Sequence, residues 1–149
     1  MKPANLFLLI IGFVAFVIGV AWYMYPGRGQ PAQNYAANIQ KDCAPWDGPA
    51  FTVAIPMDEG TAVSISIWQS PEEIKSPVAF QFPDNSAQVG NASVMLPEGM
   101  PEELSGKVSF DRFGPEGPVS GQFELTNADG QQLIGTFVAE WNEVNMLCG

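Results

Sequence analysis

Acid–base and nucleophilic chemistry in proteins leans on histidine, and this 149-residue chain has none. The usual general base and the commonest metal ligand are therefore both missing. A Ser–Lys dyad would have to use Lys75 or Lys107, the only lysines beyond Cys43. Lys107 alternates with Val108 and Phe110 in a strand-like run, so it is expected in water, protonated and unable to activate a hydroxyl. Paired carboxylates stand at Asp58-Glu59, Glu72-Glu73 and Glu102-Glu103. All three fall in turn-like sequence, where neighbouring acids are solvated rather than catalytic. Glu140, between Ala139 and Trp141, is expected to face out. No catalytic residue is assigned, and the chain is read as non-enzymatic.

Metal and cofactor chemistry fares no better. Acidic turns such as Asp58-Glu59-Gly60 and Asp129-Gly130 supply the oxygen ligands calcium prefers, but neither has the spacing of a calcium loop, so a plain turn is favoured. Met57, Met95, Met100 and Met146 are too irregularly spaced for a copper site and fit core filling better. Asn91-Ala92-Ser93 matches the glycosylation sequon, a pattern short enough to arise by chance. Neither metal nor cofactor is expected.

Three sets of residues carry more information. Cys43 and Cys148 bracket the last two thirds of the chain, and an even pair placed so reads as one disulfide in an oxidising compartment. Trp46 follows Cys43 closely and is expected over that disulfide, while Trp141 should cap the core from the inward face of the last strand. Trp68 breaks the inward phase of Val63, Ile65 and Ile67, which puts it on the outer face as a candidate contact for a partner or ligand.

The whole chain carries a formal net charge of −10. From Cys43 onward three positive side chains face fifteen carboxylates, a net of −12. Such a domain repels nucleic acid and anionic headgroups, so nucleic-acid binding is excluded as a function class.

The element that must position all of this is Leu6–Tyr25, twenty residues without a charged side chain. As a helix rising about 1.5 Å per residue it would be roughly 30 Å long, the thickness of a bilayer's hydrocarbon core. Trp22, Tyr23 and Tyr25 then form the aromatic belt at the far interface. Gly12, Ala15 and Gly19 recur at steps of three and four and stack on one stripe, a candidate packing face for a partner helix. A cleaved signal peptide ending near Gly19-Val20-Ala21 is the rival reading. The apolar run continues past that point into bulky aromatics, which favours a retained anchor. The weak positive-inside signal from Lys2 and the acidic domain that follows set the N-terminus in the cytoplasm and the C-terminal domain outside, on an inner (plasma) membrane.

Three segments are expected: an anchor over 1–25, a flexible Pro-, Gly- and Asn-rich tether over 26–42 with a brief helical turn at Tyr35–Lys41, and a β-domain over 43–149. Period-two alternation marks strands at Phe51/Val53/Ile55, Val63/Ile65/Ile67, Val78/Phe80/Phe82 and Ala92/Val94/Leu96. Short helical turns are expected at Ser70–Glu73 and Met100–Leu104. A Gly-x-apolar-x-apolar motif then recurs at Gly106, Gly121 and Gly135, fifteen and fourteen residues apart. One strand and one reversal fill each interval, so the last third reads as an antiparallel meander closed by a hairpin turn at Asn127–Gly130. The fold class expected is an all-β antiparallel sandwich, Ig-like or meander, of about seven or eight strands, with a small antiparallel barrel as the alternative. Function is expected in contact rather than turnover. The chain reads as an accessory subunit of a larger membrane complex, with the bilayer and an integral membrane protein as partners; the alternative is a tethered module that binds carbohydrate or peptide.

Overall fold

The computed structural model describes residues 32–83, 89–97, 99–142 and 148. The anchor, with Gly12, Ala15, Gly19, Trp22, Tyr23 and Tyr25, lies outside the described residues. Among the described residues no helix is long and apolar enough to cross a membrane.

Among the described residues eight strands follow one another: β1 (Gln33–Cys43), β2 (Pro49–Pro56), β3 (Ala62–Ile67), β4 (Val78–Phe82), β5 (Gly90–Met95), β6 (Glu102–Arg112), β7 (Val119–Thr126) and β8 (Gln132–Trp141). They form one hydrogen-bonded sheet in the order β4-β6-β5-β3-β2-β1-β8-β7, and β7 pairs back onto β6. Seven strands therefore close a barrel, and β4 is an extra strand attached to β6. The expected sandwich gives way to its alternative, because the pairing that would leave two open sheets is replaced by a continuous ring.

An odd ring cannot alternate direction at every step, so one neighbouring pair must be parallel. That pair is β1 and β8, in register from Gln33↔Gly135 to Ile39↔Trp141. The Asn142 N–H carries the ladder one step further by donating to the Ile39 carbonyl at 2.8 Å. This corrects the tether. From Gln33 onward the segment expected to be flexible, helical turn included, is the strand that closes the barrel. Its own pattern explains why: Ala37 and Ile39 are buried, and Asn38 between them is exposed.

The period-two reading holds for the inward residues of β2 and β3, where Phe51, Val53, Ile55, Val63, Ile65 and Ile67 are fully buried. It fails at Leu96, which lies beyond the end of β5 and is 44% exposed. The helical turn expected at Met100–Leu104 is instead the start of β6, with Leu104 buried in the core. At Ser70–Glu73 the chain makes a single hydrogen-bonded turn, Glu73 N–H to Ser70 O at 3.0 Å. The meander β6-β7-β8 and the Asn127–Gly130 turn are as expected, the turn closed by Gly130 N–H to Asn127 O at 3.0 Å.

The glycine motif has a packing cause. Registers between β7 and β8 set Gly121 opposite Phe137 and Phe123 opposite Gly135, so each glycine faces the other strand's phenylalanine. A Cβ at Gly135 would stand 2.8 Å from the Phe123 ring and 2.7 Å from that of Tyr35. The hydrogen side of glycine is what lets the rings lie flat against the wall. Inside the barrel, aromatic rings pack against one another in the core. Phe113, in the loop after β6, stacks 4.8 Å from Phe51 and 5.3 Å from Phe110. Trp141 joins them from the end of β8, and its indole N–H donates to the Gly114 carbonyl at 2.8 Å. Among the described residues no buried side-chain polar atom lacks a hydrogen-bond partner.

Candidate functional site

The two ends of the barrel differ. At one end β1 begins and the β2–β3, β5–β6 and β7–β8 connections turn back. At the other lie the β1–β2 turn, the start of the β3–β4 connection, the β6–β7 loop and the end of β8. The disulfide is formed here, Cys43 to Cys148, with Cα atoms 5.6 Å apart.

The β1–β2 turn is tight. Ala44 N–H donates to Gly48 O at 2.8 Å, and Asp47 adopts a φ of 62°, a left-handed conformation that aspartate tolerates better than most residues. The turn carries Trp46, whose indole lies across Gly48; a Cβ there would come within 2.7 Å of Nε1. Trp46 was expected over the disulfide. It packs instead edge-to-face against Trp68, ring centroids 5.5 Å apart at 83°. Trp68 leaves β3 on the outer face as its phase predicts, and its N–H donates to Val89 O at 2.9 Å. It is half-buried, whereas Trp46 is 55% exposed.

Below Trp68 the barrel wall forks. On a single edge of β6, residues 102–104 pair with β5 and residues 106–110 pair with β4. Beside Trp68 lies a groove of about 530 Å³, lined in part by Trp68, Phe82 and Leu104 and by Asn91, Glu103 and Asn127. Apolar walls with amide and carboxylate oxygens at the rim suit a ligand presenting both rings or methylenes and hydroxyls. A smaller hollow of about 180 Å³ lies on the outer face of β6–β8, lined in part by Lys107, Gln122, Glu124 and Thr136.

A polar cluster supports this end from behind. Thr52 points outward but is buried, donating to Asp42 Oδ2 at 2.8 Å and sharing a 2.9 Å hydrogen bond with Ser66 Oγ. Asp42 Oδ1 accepts the Cys43 N–H at 2.8 Å, so the cluster fixes the strand end that bears the disulfide.

Lys107 and Glu140 are exposed, as their phases required. Asp58 and Gly60 form a single 3-10 turn between β2 and β3. Among the described residues no three acidic, cysteine or histidine side chains converge as a metal site. The fold thus brings together Trp46 and Trp68, a pair that sequence reasoning split by assigning Trp46 to the disulfide. The signal was Gly48, the one small residue that lets an indole lie down on that turn. Comparison with protein-family models, with curated proteins and with solved structures finds no match.

Proposed function

We propose that the chain is a non-enzymatic, single-span membrane protein of an inner (plasma) membrane, an accessory subunit whose extracytoplasmic barrel docks on a larger membrane assembly through the Trp46–Trp68 surface. The observation that carries this reading is the pairing of an indole 55% exposed with a second one at 5.5 Å, on the outside of a barrel whose interior is already filled. Large aromatic anchors of this kind concentrate binding energy at interfaces. The acidic surface selects basic or neutral partner surfaces over nucleic acid.

The test is extraction of the full chain in mild detergent, followed by size analysis. The wild-type chain is expected to migrate with a large complex, and Trp46→Ala with Trp68→Ala to release it as a small species. Migration of the wild-type chain as a lone monomer removes the subunit reading. The groove of about 530 Å³ beside Trp68 favours a second reading, a tethered module for carbohydrate or peptide. Trp68→Ala would then abolish retention on an immobilised glycan or peptide array without changing the size of any complex.

A further inference from the structure

The groove beside Trp68 gathers residue types that an aromatic docking surface does not need. Trp68 and Phe82 supply apolar surface, while Asn91, Glu103 and Asn127 bring two amides and a carboxylate to the same lining. Ser105 and Thr126 lie there as well. Several of these groups are held in place by the fold itself. Asn127 Oδ1 accepts the Gln131 N–H at 2.9 Å, and the Ser105 hydroxyl donates to the Thr126 carbonyl at 3.3 Å. Asn91 stands opposite Ser66 in the β3–β5 ladder, and the Ser66 hydroxyl shares a 2.9 Å hydrogen bond with Thr52.

Two observations select the class of ligand. An extended peptide draws its affinity from main-chain hydrogen bonds to an open strand edge. Along this groove the main chain of β5, β6 and β7 is already engaged in the β3–β5, β5–β6 and β6–β7 ladders. Strand β4 ends the sheet, but at the groove it contributes Phe82 and then Pro83, which has no N–H to donate. What remains on offer is side-chain chemistry. Among the described residues lining the groove Glu103 is the only charged one, and it belongs to a domain with a net charge of −12 from Cys43 onward. A phosphorylated, sulfated or uronic ligand would meet repulsion and no cation.

We propose that this groove binds a neutral oligosaccharide, one pyranose ring stacking on Trp68 and its hydroxyls bonding to Asn91 and Glu103. The C–H bonds of a pyranose face carry partial positive charge and meet the negative face of the indole. A carboxylate accepts from two neighbouring hydroxyls, and a side-chain amide both donates and accepts, which matches the mixed character of sugar hydroxyls. Apolar surface with a few placed polar groups is the usual make-up of a small-ligand site.

The proposal rests on the binding-module reading of the groove, and one experiment separates the two. The full chain, isotope-labelled at its tryptophan indoles and with its disulfide intact, is held in a zwitterionic detergent that has no sugar headgroup. It is titrated in turn with cellobiose, maltose, chitobiose, a sulfated heparin disaccharide and a random hexapeptide mixture, and the indole N–H resonances are followed. The Trp68 resonance, assigned with Trp68→Phe, is expected to shift saturably with at least one neutral disaccharide and to stay in place with the sulfated one. Asn91→Ala and Glu103→Gln, both at exposed positions, are each expected to weaken that binding about fivefold while the other indole resonances keep their wild-type positions. Disaccharide binding that neither variant weakens, or an equal response to the sulfated sugar, overturns the proposed site chemistry. A shift with the peptides alone overturns the sugar and leaves the binding module standing. No shift with any probe overturns both.

Discussion

Two glycines of the repeated motif, Gly121 and Gly135, are contact surfaces for aromatic rings. At Gly135 an added methyl group meets two aromatic rings, and at Gly121 it would stand 2.2 Å from the Ser109 carbonyl oxygen and 2.8 Å from Phe137. Gly135→Ala is expected to cost about 1–3 kcal/mol as Phe123 and Tyr35 are pushed off their seats, and Gly121→Ala more, because backbone cannot yield as a ring can. Denaturant unfolding followed by near-ultraviolet circular dichroism measures both. Tyr35 offers a second check at this scale. Its hydroxyl donates to Gln33 Oε1 at 2.9 Å, and burial, with a further contribution from the Asp58 charge, raises its pKa above the ordinary value of 10.0. The neutral phenol is the form the fold prefers. The stability it contributes is therefore fully present below the unfolded value and lost as pH rises through the folded one. In a spectrophotometric titration Tyr35 should ionise later than an ordinary tyrosine, and Asp58→Asn should bring it earlier.

Strand β1 is the element on which closure depends. It pairs antiparallel with β2 on one side and parallel with β8 on the other, so without it both neighbours present open edges. Its far end is pinned twice, by the Asp42–Thr52 hydrogen bond and by the disulfide to Cys148. The disulfide spans 105 residues, a loop long enough that cutting it returns considerable entropy to the unfolded chain. Cys43→Ser with Cys148→Ser is expected to lower stability by about 2–5 kcal/mol. The first cleavage in limited proteolysis should then fall in the freed C-terminal segment rather than in β2 or β3; cleavage first within β2 or β3 would show that the disulfide, not the ring, holds the barrel shut.

At the scale of the molecule the barrel is a filled post with two unlike ends. Phe51, Phe110, Phe113 and Trp141 plug the disulfide end from within, which leaves Trp46 and Trp68 free of any core duty on its outside. Their replacement by alanine should leave the unfolding midpoint within a few degrees of the wild type, since surface substitutions away from the core cost about 0.5 kcal/mol or less. A loss of complex in detergent extracts with the midpoint preserved is the signature of docking. A large fall in the midpoint would make the pair structural and remove the proposed interface.

The amino-acid pattern alone determined which residues face inward along β2, β3, β4 and the β6-β7-β8 meander, because a half-buried strand writes its exposure into alternate positions. It also determined the disulfide, since two cysteines admit one pairing, and the outward placement of Trp68, which breaks the alternation. Whether the strands split into two sheets or closed into a ring was decided by tertiary structure. That choice turned on β1, whose small and polar residues, Ala36, Ala37, Asn38 and Gln40 around Ile39, look like linker until β8 lies beside them in parallel. Contacts between distant strands made Trp46 a neighbour of Trp68 and set Gly121 against Phe137 and Gly135 against Phe123. Period and composition are local quantities, and register across a barrel is a property of the closed ring.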